Sequence, residues 1–156
     1  MAFTNSNDYI TGRNPAPTPA GAELLSVRFT IAVTTGDLAL NTIGQIGILP
    51  AGCIPVDVRV DGTDLDTGAG AGVYRVGILD AAGTAFSSAA ADGGGAWGDT
   101  GAAVATAFDK ALTRTLNNMA TVQQSQSDRK IGLKVTTAPS TAAAGTLGLT
   151  LTYKPA

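Results

Sequence analysis

The sequence predicts an all-β protein, a jelly-roll-like antiparallel β-sandwich with an extended N-terminal arm and at most one short helix. Three observations lead to this fold class. Apolar and polar residues alternate in several short segments, as in strands that bury one face. Glycine supplies 20 of the 156 residues, and clusters of Gly, Pro and Asp separate the alternating segments as turns would. Roughly six to eight short strands spaced in this way are typical of a sandwich or jelly roll.

The chain divides into an arm and one domain. Residues 1–22 are polar and contain Pro15, Pro17 and Pro19, which favour extended backbone and leave little apolar surface for a core. We predict an arm at 1–22, which is either a disordered tail or an extended segment lying on a neighbouring subunit. Residues 23–156 have the length of a single β-sandwich domain.

Three segments give the clearest strand signals. Residues 25–33 alternate strictly, and the last thirty residues contain two further alternating runs, 127–137 and 146–154. The threonines and charged residues between the apolar positions indicate one wet face on each strand. We predict that the last two strands pair as neighbours. The residues predicted to face inward are Leu25, Val27, Phe29, Ile31, Val33, Ile131, Leu133, Val135, Leu147, Leu149, Leu151 and Tyr153.

The strands between these are less regular. Residues 38–49 predict a strand interrupted by Gly44 and Gly47, and a turn follows at 50–55. Val56, Val58 and Val60 alternate with Asp57 and Arg59 in the next strand. Residues 61–72 consist of turn formers, and 73–79 read as a further strand.

The middle of the chain leaves two questions open. Residues 81–101 have no periodicity and predict a long exposed loop. Trp97 in this loop is either a plug that folds the loop onto the core or a contact to a partner protein, because tryptophan is enriched at interface hot spots. Residues 102–112 have helical propensity and predict one short helix, but a strand is the alternative because Val104, Thr106 and Phe108 alternate with alanines.

The residue types present exclude several kinds of chemistry. The sequence contains no histidine, which removes Ser-His-Asp and Cys-His catalysis and His-ligated zinc. The single cysteine, Cys53, cannot form an intramolecular disulfide and is expected to be a small buried hydrophobe. The basic residues are dispersed, so nucleic acid is not a predicted partner. The N-terminus lacks the pattern of a secretory signal, and no apolar run suggests a membrane span.

The densest acidic cluster is Asp61, Asp64 and Asp66. Counted from Asp64, an EF-hand loop would need an oxygen ligand where Gly68 stands and a bidentate glutamate where Arg75 stands. We therefore interpret the three aspartates as turn formers, with an incidental surface cation as the alternative. A glycosidase pair would need an apolar pocket that one polar loop does not offer.

No candidate site emerges from the remaining motifs. The run "GAGAG" at 68–72 lacks the spacing of a dinucleotide-binding motif. Arg75 is expected on the wet face or edge of its strand. The sequence predicts no catalytic residue, no cofactor, no metal site and no small-molecule substrate, and the protein is not expected to be an enzyme.

Two segments carry a family resemblance. An apolar strand runs into "LPAG", then a valine-rich strand, a "DLDTG" loop and a "VGILD" strand within residues 44–80. These features and the ending at 127–153 resemble capsid decoration (cement) proteins of tailed bacteriophages. The resemblance implies synthesis in the host bacterial cytoplasm and a homotrimer on the exterior of the virion head, where it binds the major capsid protein and stabilises its contacts. The alternative is a β-module of the tail, neck or fibre that contacts a host receptor or another tail protein.

Overall fold

The computed structural model describes residues 2–101, 106–114 and 118–156. Within them the chain forms short strands and 3₁₀ turns, and no α-helix occurs. The strands are β1 (Leu25–Val33), β2 (Ile43–Leu49), β3 (Cys53–Gly62), β4 (Val73–Ile78), β5 (Gly98–Asp99), β6 (Phe108–Ala111), β7 (Thr113–Arg114), β8 (Arg129–Thr137) and β9 (Gly145–Pro155). The 3₁₀ turns are Gly36–Leu38, Ala90–Asp92 and Asn118–Thr121. None of these helical segments has the length and apolarity needed to cross a membrane.

The strands form two antiparallel sheets with jelly-roll connectivity. One sheet has the order β1-β9-β3-β6 and the other β2-β8-β4-β5-β7. The pairs β1–β9, β2–β8, β3–β6 and β4–β5 join early strands to late ones in nested order. This is a long hairpin rolled up so that its strands alternate between two layers, as in the jelly-roll architecture. The predicted fold class is confirmed.

The core lies between the two layers and follows the predicted alternation. All twelve inward-facing residues predicted for β1, β8 and β9 belong to the core or pack against it. Tyr74 of β4 stacks on Phe108 of β6, with ring centroids 5.9 Å apart, and so joins the two sheets. Apolar contact of this kind is the main stabilising term in a sandwich of this size.

The pairing predicted for the last two strands is wrong. β8 lies in the second sheet between β2 and β4, whereas β9 lies in the first sheet between β1 and β3. The two strands therefore face each other across the core. Residues 138–144 cross from one sheet to the other, and Ala142 forms a bridge with Asp66 on the way. Alternation specifies which face of a strand is buried, but it does not specify the neighbour.

Several element boundaries also differ from the prediction. β2 begins only at Ile43, because Gly36–Leu38 form a 3₁₀ turn that buries Asp37 and Leu38. β3 already begins at Cys53, so the turn before it is shorter than expected, and a bulge after Pro55 shifts its register against β9. In the segment 102–112, the strand alternative is right for Phe108–Ala111, while residues 102–105 lie outside the described residues.

The segment 81–101 is not the exposed loop that its composition suggests. It contains the 3₁₀ turn Ala90–Asp92 and strand β5, and it buries Ser87, Trp97 and Thr100. A sequence rich in Gly and Ala gives no periodic signal even when its backbone is pinned. Hydrogen bonds to residues that are distant in the sequence hold the backbone of this segment in place.

Candidate functional site

The N-terminal arm lies along an open side of its own sandwich. β1 and β2 are the first strands of their sheets, so each has one unpaired edge on this side. The side-chain amide of Asn5 donates to the backbone carbonyl of Ala32 on β1, and that of Asn7 donates to Ile46 on β2, both at 2.8 Å. Capping unpaired carbonyls in this way protects strand edges that would otherwise invite pairing with another chain. Neither alternative for the arm predicted this placement.

We call this strip the edge groove and define it by Ala32, Asp37, Gly44 and Ile46. The carboxylate of Asp37 is its polar centre. One carboxylate oxygen accepts hydrogen bonds from the backbone N–H and the hydroxyl of Thr4, both at 2.8 Å. The other accepts the N–H and hydroxyl of Thr34, at 2.8 and 2.9 Å. The arm is therefore held by hydrogen bonds to a carboxylate whose residue, Asp37, is 1% exposed.

The protonation state of Asp37 suits this role. Burial on its own would raise its pKa, but the hydrogen bonds from Thr34 and Thr4 outweigh burial and hold the pKa below its ordinary value. The carboxylate is thus ionised at neutral pH and accepts four charge-assisted hydrogen bonds. Such bonds are stronger than those between neutral groups.

Two aromatic side chains complete the contact. Phe3 lies over Gly44, where a Cβ atom would come within 2.5 Å of the Phe3 ring. Tyr9 meets Phe29 edge to face, with ring centroids 4.8 Å apart, a favoured aromatic geometry. Farther along the arm, the hydroxyl of Tyr153 donates to the carbonyl of Pro17 at 2.5 Å. Burial raises the pKa of Tyr153 to about 12, so this hydroxyl keeps its proton.

The three aspartates of the 61–66 loop are separated by the structure into three roles. Asp61 pairs with Arg28 on the outer face of the first sheet. Asp64 is exposed and accepts the N–H of Asp66 at 3.3 Å. Asp66 is buried and accepts five hydrogen bonds from the backbone N–H groups of Gly68, Ala71, Ser140 and Thr141 and the hydroxyl of Ser140.

Asp66 therefore fastens two loops, in keeping with its interpretation as a turn former. Both of its oxygens are already occupied by donors, which repel a cation. Within the described residues, no group of three or more His, Cys, Asp or Glu side chains is placed to hold a metal ion.

Asp66 is expected to make the fold sensitive to acid. Burial would raise its pKa, but the hydrogen bonds from Thr141, Ala71 and Ser140 dominate and hold the pKa well below the ordinary 3.8. The stabilisation is complete above 3.8, the value in the unfolded chain, and is lost as the pH falls from there through the lower folded-state pKa. Urea unfolding midpoints should therefore drop over this range, and Asp66→Asn should flatten that part of the drop.

The matched control is Asp8→Asn, which removes the same charge. Asp8 is exposed and lies 3.8 Å from Arg13 in a pair that is also exposed, so the pair contributes little to stability and its substitution tests only the loss of one negative charge. If Asp66→Asn retains the acid sensitivity of the native chain, the assignment to Asp66 is wrong.

Trp97 fastens the segment 81–101 to the core. Its side chain is 0% exposed, and its indole N–H donates to the carbonyl of Asp92 at 3.2 Å. This confirms the plug and contradicts a direct partner contact through the indole. Arg129 of β8 reaches the same place, donating to the carboxylate of Asp92 at 3.2 Å and to the carbonyl of Cys53 at 3.0 Å.

Two further residues lie where the sequence places them. Cys53 is a buried free thiol, and burial raises its pKa. Arg75 is exposed and lies 3.8 Å from Asp99 across the β4–β5 pair, on the wet face. The sequence predicts neither the groove residues Asp37 and Gly44 nor the arm residues that contact the groove, which are Phe3, Thr4, Asn5 and Asn7. The available signal was the spacing of Asn5 and Asn7, which are two apart, as side chains on one face of an extended segment would be.

Comparison with solved structures connects this fold to phage capsids. The chain is similar to a chain in the capsid of Ralstonia phage GP4, with 26% sequence identity, a TM-score of 0.68, and coverage of 96% of both chains. The chain is a phage capsid-like structural protein. It also shares its fold with a chain of the cyanophage Pam1 capsid asymmetric unit, at 19% identity and a TM-score of 0.51, covering 92% of each chain. No protein-family model matches it, and no curated protein matches it.

The sequence resemblance to phage virion proteins is thus confirmed at the level of a capsid-like structural protein. Coverage of 96% on both sides means that the GP4 chain is also of similar size. The similarity includes the arm as well as the sandwich, since fewer residues than the arm contains are left unmatched.

Proposed function

We propose that the chain is a capsid decoration (cement) protein that binds the outside of the phage head as a homotrimer and stabilises contacts of the major capsid protein. The observation that carries this proposal is the end-to-end similarity to a capsid chain of matching size. The match extends over the arm and the sandwich alike, which supports a capsid component built on this same fold.

The physical character of the molecule supports this role. Hydrogen bonds from residues far apart in sequence fasten the arm and the segment 81–101 to the sandwich, which makes a rigid block. The formal net charge is −2, so long-range electrostatic steering is weak and binding depends on shape and short-range contacts. Modest contacts suffice on a lattice, because several linked contacts multiply their effect.

The test is binding to heads that lack this chain. Purified full-length protein is mixed with expanded heads, which are then sedimented. We expect saturable co-sedimentation at micromolar protein, and the bound heads should rupture at higher temperature because a ligand that binds only the intact state stabilises it. Unlabelled chain should displace labelled chain, and an unrelated jelly-roll protein of similar size should not.

Two outcomes would contradict the proposal. Protein that stays in the supernatant has no affinity for the head exterior. A copy number in intact particles that matches the tail or neck symmetry instead of the head lattice would assign the chain to those structures.

A further inference from the structure

The edge groove has the properties of a site that recognises a peptide. Phe3 fits over Gly44, Thr4 is held at two points by Asp37, and Asn5 caps Ala32. An aromatic seat, a buried carboxylate and capped edge carbonyls together select a particular sequence. A segment that docks on sheet edges while its side chains enter fixed positions is a known mode of peptide recognition.

The connection between the arm and the sandwich is far less constrained. In residues 18–24 every side chain is exposed except that of Pro19, which is half-buried. The hydrogen bond described within this linker is local, from the N–H of Ala20 to Glu23. Leu24 is 58% exposed, although it is a large apolar residue. The contacts in the groove therefore do not depend on the path that the linker takes.

Docking on the same copy forces this linker to reverse direction. The arm is held at Pro17 by the Tyr153 hydroxyl, and β1 begins at Leu25, which is the register partner of Tyr153. Residues 18–24 must thus leave and return to the same point. Prolines at 15, 17 and 19 instead favour a straight, extended backbone. Seven extended residues would span about 23 Å, enough to reach an adjacent copy.

We propose that the edge groove binds the arm of a second copy of this chain, so that assembled copies are joined by exchanged arms. Exchange keeps every groove contact and removes the reversal at 18–24. Exchanging an identical element is a low-cost route to an oligomer, and copies held side by side supply the high effective concentration it needs. This inference goes beyond the proposed function and does not depend on binding to a head.

The test uses two full-length variants, each with one new cysteine. Asn5→Cys places a thiol on the arm, and Ala32→Cys places one on the groove. When the two variants are mixed at high concentration and treated with a short bismaleimide, neither can cross-link arm to groove within its own chain. A covalent heterodimer is expected. Adding Phe3→Ala to the Asn5→Cys chain should cause most of this product to be lost.

The matched control pairs Asn5→Cys with Arg75→Cys, which lies exposed on the outer face of the second sheet. This mixture should give no heterodimer. Native Cys53 is buried, and each variant treated alone shows its background. If the mixture of Asn5→Cys and Ala32→Cys gives no product, while a chain carrying both cysteines cross-links only within itself, the arm docks on its own copy and the proposal is overturned.

A second pair of variants keeps the test independent of the new thiols. The three atoms nearest to a Cβ placed on Gly44 all belong to Phe3. Gly44→Ala therefore obstructs the position of the Phe3 ring and leaves the sandwich core untouched. Phe3→Ala leaves the seat open but removes the side chain that fills it. When labelled and unlabelled native chains are mixed, native mass spectrometry should show complexes that contain both. The same experiment with the Gly44→Ala chain, or with the Phe3→Ala chain, should show no such complexes. A mixture that remains monomeric like its components contradicts exchange.

Discussion

Trp97→Ala is expected to lower the free energy of unfolding by about 3–5 kcal/mol, the range for removing a buried tryptophan from a packed core. The indole is 0% exposed and belongs to the core between the sheets, although it comes from an irregular segment. Its removal leaves a cavity and also leaves the carbonyl of Asp92 without the indole N–H. The measurement is urea unfolding at neutral pH, followed by circular dichroism.

Two further variants separate the contribution of the buried indole surface from that of its hydrogen bond and from that of an exposed apolar side chain. Leu24→Ala removes a large apolar side chain that is 58% exposed, and it should change stability by no more than about 0.5 kcal/mol. Trp97→Phe keeps most of the buried area but loses the hydrogen bond, so it should fall between the native chain and Trp97→Ala. A Trp97→Ala variant as stable as the Leu24→Ala variant would show that the segment 81–101 is not pinned by its tryptophan.

The sequence predicts best the strands that bury one face along their whole length. In β1 and β9 every second residue enters the core, so the alternation of Val27, Phe29 and Ile31 specifies both the strand and its orientation. The pairing of strands is a different kind of information. β8 and β9 have the same pattern, yet they lie in opposite layers, because the connection at 138–144 passes from one sheet to the other instead of forming a hairpin.

The edge groove could not be predicted because its parts have no common sequence signal. Asp37 follows a threonine and a glycine and is indistinguishable from a turn former until Thr4 is placed beside it. Gly44 looks like an interruption of β2, but its missing side chain is the space that Phe3 occupies. Both residues acquire their role from a segment more than thirty residues away, and local propensity contains no information on such contacts.

The prediction of an exposed loop at 81–101 was wrong for the same reason, because contacts with residues far away in the sequence order this segment. Its glycines and alanines are compatible with an exposed loop, and only Trp97 suggested otherwise. What orders it is a set of long-range donors: the side-chain amide of Asn118 reaches the carbonyl of Ala96 at 2.9 Å, and the N–H of Gln123 reaches that of Ala91 at 2.8 Å. Arg129 adds a charged anchor from β8.

Arg129→Ala is the second substitution expected to have a large effect, with a loss of about 3 kcal/mol, at the low end for breaking a buried ion pair. The Arg129 side chain is 9% exposed, and its guanidinium joins Asp92 to the carbonyl of Cys53. Without it, a largely buried carboxylate would keep, among the side chains that the structure describes, the hydroxyl of Ser87 as its one donor, at 2.6 Å. Urea unfolding measures this loss directly.

Arg75→Ala is the matched control, because it also breaks an arginine–aspartate pair. The Arg75 side chain is 53% exposed and its pair with Asp99 is long, at 3.8 Å, so the cost should be below about 1 kcal/mol. Since Arg129 and Trp97 both hold Asp92, the double variant should lose less stability than the sum of the two single variants, by about 0.5 kcal/mol or more. Strict additivity would mean that the two side chains act on separate parts of the segment. Equal losses for Arg129→Ala and Arg75→Ala would mean that burial of the Arg129 pair contributes nothing.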